Sequence, residues 1–217
     1  MMRRSLALGA LILAGSLGSA EASTVNFEDL AKAPGTETLF NNGNDPISGG
    51  FLFDAANHSH IGNKVWGTDN GGTFMVVDEF LGPDAITVSQ IGGAPFALTS
   101  IDVSEAHDDP FFGALQVQIV GNVFGGGTVS QLLVLDNNLV KGVYGNYFQT
   151  FIIDPGFGNL SSFTLTGLGA PAGQGSNYYA IDNVVVGTTA AVPEPGTLSL
   201  LGLGSAYLIR RRRRNAS

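Results

Sequence analysis

Between residues 23 and 187 the apolar side chains recur at every second position or bunch into short runs. No ten-residue window carries the 3.6-residue spacing of an amphipathic helix. Leu115, Val117 and Ile119 alternate with Gln116 and Gln118, and Phe163 and Leu165 alternate with Ser162, Thr164 and Thr166. Both patterns predict half-buried strands with one wet face. Denser runs at 129–135, 148–153 and 181–186 predict strands covered on both faces, and 51–53, 74–77 and 85–89 add three more. In 96–103 the apolar phase flips between Leu98 and Ile101, which predicts a β-bulge near Thr99 and Ser100. Glycine-rich turns separate the runs. Asp69-Asn70-Gly71-Gly72 predicts a hairpin between Val65-Trp66 and Thr73-Phe74, and Gly125-Gly126-Gly127 divides two further strands. Roughly ten short strands at this spacing predict an all-β fold, an antiparallel β-sandwich of jelly-roll type, as one domain over 23–187.

Charge narrows the function classes. The chain holds ten basic residues, seven of them at its tips: Arg3, Arg4 and Arg210, Arg211, Arg212, Arg213 and Arg214. Between residues 23 and 192 only Lys32, Lys64 and Lys141 stand against 16 carboxylates, a formal charge of −13. Phosphate neutralisation needs a basic face, so nucleic-acid binding is excluded. With no cysteine, a disulfide framework and thiolate metal or redox chemistry are excluded as well.

The two tips read as addresses. Residues 1–22 have a signal-peptide layout, with a basic start at Arg3 and Arg4, an apolar run over 6–17 and the small-x-small sequence Ala20-Glu21-Ala22 before Ser23. Cleavage after Ala20 is the alternative. About a dozen apolar residues, at ~1.5 Å per residue, is too short for a permanent anchor across ~30 Å of hydrocarbon. Residues 188–217 hold a linker, then Pro193-Glu194-Pro195, then 14 uncharged residues over 196–209, then the arginines. The prolines forbid a helix running in from upstream, so a short C-terminal membrane helix is expected to begin after them. The five arginines act as a stop-transfer cluster and stay cytoplasmic, leaving everything before Pro195 outside.

This order of parts resembles the PEP-CTERM sorting signal of Gram-negative bacteria, whose carriers are substrates of exosortase, a membrane-embedded protease or transpeptidase. The resemblance implies that Pro193, Glu194 and Pro195 are recognised by that enzyme, after signal peptidase has acted at the other end. It also implies a membrane-anchored stage before processing, then a cell-surface or extracellular place in a biofilm or exopolysaccharide matrix.

A second resemblance lies in the body. It opens with Thr24-Val25-Asn26-Phe27-Glu28-Asp29 and closes with Tyr179-Ala180-Ile181-Asp182-Asn183-Val184-Val185-Val186. These ends are similar to the first and last strands of galactose-binding-like jelly rolls, found in many carbohydrate-binding modules. That resemblance implies that the two strands meet and that Glu28 and Asp182 hold a structural calcium ion. Oxygen-only sites with several carboxylates suit that ion.

Sugar binding needs aromatic faces for pyranose rings and planar polar groups for hydroxyls. Trp66, Tyr144, Tyr147 and Tyr178 lie in or beside glycine- and asparagine-bearing segments and are the candidates for contact with a polysaccharide partner. His58-Ser59-His60 places two imidazoles on one strand face, and His107 sits in an acidic loop; if the two segments meet, they form a candidate zinc set. No Gly-x-Ser-x-Gly elbow and no cysteine nucleophile occur, so a non-enzymatic chain is expected. Carboxylate pairs for glycoside hydrolysis stay open, because a sequence gives no separations. The alternative to a carbohydrate-binding protein is a structural matrix protein without a small ligand, its acidic copies cross-linked by divalent cations.

Overall fold

Period-two segments rich in Val, Ile, Phe and Thr fold here as strands, with glycine at the reversals. A computed structural model of the protein describes residues 21–41, 43–55, 58–78, 85–107, 109–172 and 177–188. The compact body spans 21–189. The signal peptide, Pro193, Glu194, Pro195, the C-terminal helix and Arg210–Arg214 lie outside the described residues, apart from Glu21 and Ala22.

Thirteen strands pair antiparallel: β1 (Ala22–Val25), β2 (Thr36–Asn41), β3 (Ile47–Ser48), β4 (Phe51–Ala55), β5 (His58–Asn63), β6 (Phe74–Val77), β7 (Ala85–Gln90), β8 (Phe96–Glu105), β9 (Gln116–Val123), β10 (Thr128–Val134), β11 (Gln149–Ile152), β12 (Leu160–Leu168) and β13 (Tyr179–Thr188). Only two short 3-10 turns, Glu28–Leu30 and Pro155–Phe157, interrupt them among the described residues. The strand order is β2-β5-β6-β13-β8-β12-β7-β4-β3, with β11 also on β8 and β10 reached through β9 on β12. One residue pair, Phe96 with Leu160, joins the β8 half of this curled sheet to the β12 half. The halves close as a sandwich on a shared core, to which Phe53, Val88, Phe163 and Val117 come from one side and Ile61, Met75, Val103 and Ile181 from the other. Phe27 packs edge-on against Phe53 at 4.9 Å, and Phe51 against Phe96 at 5.0 Å.

The first and last strands do meet: β1 pairs with the second half of β13, Ala22 opposite Gly187 through Val25 opposite Val184. The predicted bulge is present. Ser100 faces Val185 while Leu98 faces Val186, which leaves Thr99 as the extra residue, its hydroxyl donating to the Val185 carbonyl at 3.1 Å. A compensating irregularity in β13 falls at Asn183, whose φ of 45° is left-handed.

Three expectations fail. The strand paired with β6 is His58–Asn63, not Val65-Trp66, so the reversal takes all of residues 64–73. The runs at 129–135 and 148–153 form β10 and β11, each with one partner strand and one open edge; Val134 is 60% exposed and Ile152 75%. Apolar composition alone does not distinguish an edge strand from a central one.

On the sheet face opposite the main core, Phe74, Val76 and Ala180 form a smaller cluster with Val65, Ala106 and Tyr178. Trp66, Phe112 and Phe148 pack over it. His60, opposite Val76, and Asp182, two residues on from Ala180, fall on this face.

Candidate functional site

The turn after β1 delivers the first carboxylates. Phe27 is fully buried at a left-handed φ of 58°, a strained conformation for a bulky residue, and this turns the chain sharply at Glu28. Asp29 accepts from the Ser48 hydroxyl at 2.6 Å and the Gly49 amide at 3.0 Å, which ties the turn to the β3–β4 reversal. Glu28 points the other way, its Oε1 accepting from the Thr73 amide at 2.8 Å. The path of residues 70–73 is shaped around it: a Cβ on Gly72 would lie 2.6 Å from Glu28 Oε1.

Asp182 reaches the same turn from β13. Its Oδ2 accepts from Asn70 Nδ2 at 2.6 Å and its Oδ1 from the Asn183 amide at 2.7 Å. Asn183 in turn donates to Asp102 Oδ2 at 2.8 Å. Burial pushes the Asp182 carboxyl up to about 7; the Asn183 and Asn70 donors oppose this, and the charges of Asp102 and Glu28 add to it. Glu28 and Asp182, read from the two ends of the body, are therefore brought to one turn, joined by Asn70 and Asp102, which the sequence did not single out. Among the described residues the lysine ion pairs are Lys64 with Asp69 and Lys141 with Asp109, so none reaches these carboxylates. Asp182 is thus a buried carboxylate without a basic partner, each of its oxygens held by an N–H donor.

The four aromatic candidates part company. Trp66, also left-handed at φ 53°, is half-buried and held at several points. Its indole donates to Glu37 Oε2 at 2.6 Å, its carbonyl accepts from the His107 amide at 2.7 Å, and its ring packs on His60 at 5.1 Å. Tyr144, 43% exposed, joins Trp66, Glu37, Lys64, Val65 and Gly35 around a cleft of about 300 Å³. That is the low end of small-ligand pockets, ~300–1,000 Å³. Tyr147 instead folds back over Gly145 and donates to the Val143 carbonyl at 3.3 Å. Tyr178 is buried in the smaller cluster against Phe112, His107 and Trp66, so its ring offers no face to a sugar.

The histidines group differently from the expectation. His58 and His60 do share one face of β5, but Asp78, just past β6, completes their set rather than His107. His60 Nε2 lies 3.2 Å and His58 Nε2 3.7 Å from Asp78 Oδ2. His107 packs near the Trp66 ring at 5.7 Å, and its nitrogens are not among the ligand atoms that converge with those of His58, His60 and Asp78. Burial alone would lower the His60 pKa, but the hydrogen bond and charge of Asp78, with Glu37 beyond, outweigh it and raise it.

No curated protein matches the sequence. Among solved structures the chain is similar to the K1 cleaved adhesin domain of Lys-gingipain from Porphyromonas gingivalis W83, at 10% identity and TM-score 0.39, over 77% of this chain and 98% of that one. The K2 cleaved adhesin domain of Lys-gingipain gives 11% identity and the same TM-score, over 77% of this chain and 99% of that one. An exo-beta-agarase gives 10% and 0.35, over 73% of this chain and 26% of that one. Among the described residues no helix is long and apolar enough to cross a membrane. Residues 191–214 match the PEP-CTERM protein-sorting motif, which marks the chain for export and for exosortase processing to the cell surface.

Proposed function

We propose that the body is a non-enzymatic, carbohydrate-binding β-sandwich displayed at the cell surface or in an extracellular polysaccharide matrix, with a structural calcium ion at Glu28, Asp182 and the 70–73 turn. The observation that carries this reading is the cleft where Trp66 and Tyr144 lie beside Glu37 and Lys64. An indole anchored through its N–H to a carboxylate is a rigid apolar plate beside a fixed acceptor, the pairing that a pyranose ring and its hydroxyls require. The sorting motif supports the setting, since it delivers the chain to a surface where polysaccharide is the common polymer.

Glycan-array binding and polysaccharide pull-down of the full chain in mild detergent, with calcium present, test the reading. At least one glycan should be retained, and Trp66→Ala should weaken it about tenfold or more, roughly the worth of one aromatic contact. Tyr147→Phe, outside the cleft, should leave it unchanged. Absence of glycan binding, or an unaffected Trp66→Ala variant, sinks the proposal. Calcium-driven self-association without sugar binding would favour the structural matrix role that the acidic body also suits.

A further inference from the structure

The His58, His60 and Asp78 cluster shares no residue with the carboxylate turn and touches the cleft only through Glu37 and Trp66, and its geometry follows from strand register. β5 pairs with β6 as Ser59–Val77 and His60–Val76, so Asp78 falls one step beyond, beside His58 and diagonal to His60. β2 pairs with β5 as Leu39–His60 and Glu37–Gly62, which puts Glu37 diagonal to His60 from the other side. Diagonal neighbours on a sheet face are within reach of long side chains. Four chemistry-bearing groups thus line up across three adjacent strands.

Their spacing is that of a coordination sphere. Zinc bonds of ~2.0–2.1 Å in a tetrahedron place the donor atoms about 3.3 Å apart. Two of the edges, 3.2 Å and 3.7 Å, bracket that value, and one atom of each of the three residues lies within 4.8 Å of the others. A second observation concerns charge. Asp78 is 5% exposed; among the described residues its Oδ1 has no hydrogen-bond partner and its only ion pairs are with the two imidazoles. A buried carboxylate of this kind needs a positive charge beside it. A third concerns the ring's other nitrogen. His60 Nδ1 is buried and unbonded, yet lies 3.3 Å from Glu37 Oε2. Coordination through Nε2 fixes the proton on Nδ1, and a small ring rotation then makes the carboxylate–histidine contact that supports metal-bound imidazoles.

We propose that His58 Nε2, His60 Nε2 and Asp78 Oδ2 bind a divalent zinc-type ion, with Glu37 orienting His60 and a fourth position left for water on the partly exposed His58 side. Two imidazoles with one carboxylate prefer zinc to calcium, which takes oxygen donors in larger number. Because Glu37 also receives the Trp66 indole, the ion would stiffen the floor of the cleft without touching its contents.

The test uses untagged full-length chain in mild detergent, stripped with EDTA and titrated with zinc against a chromophoric chelator in millimolar calcium. One zinc per chain should bind tightly, and zinc-edge X-ray absorption should show two nitrogen donors and one carboxylate oxygen. His58→Ala and Asp78→Asn should abolish tight binding, and Glu37→Gln should weaken it about 10–100-fold. Asp182→Asn, in the separate carboxylate turn, should leave zinc affinity unchanged. His58 is the most exposed of the ligands, so an unaltered zinc-free melting curve for His58→Ala shows that the variant folds. Wild-type chain that takes up no zinc below ~100 μM, a dissociation constant corresponding to only weak association, overturns the proposal. So does a His58→Ala variant that binds as tightly as wild type.

Discussion

Glu105 ends β8 with 2% of its surface exposed, one oxygen accepting from the Asn137 amide at 2.6 Å and the other without a partner. Burial pushes its pKa up and Asp136 adds to this, while the Asn137 amide opposes. A carboxyl that holds its proton longer when folded than when unfolded makes stability fall as pH rises from the ordinary value of 4.5 towards the folded one. Above the folded value the loss is complete and the slope ends. Glu105→Gln carries no such proton, so urea unfolding should find the variant's advantage over wild type widening as pH rises above 4.5. A gap that stays constant with pH would show that Glu105 does not titrate in this way. Asp182 was visible in the sequence because it lies in the closing strand. Asp78 and Glu37 were not, because their neighbours are set by pairing register across β2, β5 and β6, and a sequence does not print register.

At the scale of elements, β12 approaches the chain entering β13 so closely that one position admits only hydrogen. A Cβ on Gly167 would lie 2.1 Å from the Asn177 carbonyl oxygen and 2.9 Å from the Tyr179 ring. Backbone cannot yield as a flexible side chain does, so Gly167→Ala should cost about 3 kcal/mol, the upper end of ordinary overpacking. Gly125→Ala meets nothing within 4 Å and carries only the strain of a φ of +95°, so it should cost about 1 kcal/mol. Comparing the two by thermal unfolding separates collision from conformational strain, and equal costs would refute the close approach. The strand pattern itself was largely legible: all nine segments marked by alternation or apolar runs overlap strands, and Thr99 does form the predicted bulge. What stayed hidden was which strands are edges. Leu132, Val134 and Ile152 look like core residues in sequence, yet strand alternation puts them on the open face while their neighbours Leu133 and Ile153 are buried.

For the molecule as a whole, the balance of charge and the two candidate cation sites point the same way. A body with three lysines against 16 carboxylates is destabilised by its own repulsion, and bound cations would relieve it. Calcium that binds the folded chain alone stabilises it by about 2.7 kcal/mol at a hundredfold excess over its dissociation constant. Calorimetry should therefore show Tm rising with calcium and falling back with chelator. Asp182→Asn should abolish the rise while stabilising the cation-free protein at neutral pH, since it removes a buried carboxyl whose pKa is about 7. A Tm indifferent to calcium would remove the calcium site.

The position of β13 carries a consequence for biogenesis. It is the last of the described strands to be made, yet it pairs with β1, β6 and β8 and so sits at the middle of the architecture. Until residues 179–188 emerge, the first half of the chain has no central rail to assemble on, and such long-range closure is slow. The β12 half can pair without it, but the β8 half closes only when this segment appears, immediately ahead of the motif at 191–214. Completion of the fold and arrival of the sorting enzyme's target are timed by the same stretch of chain.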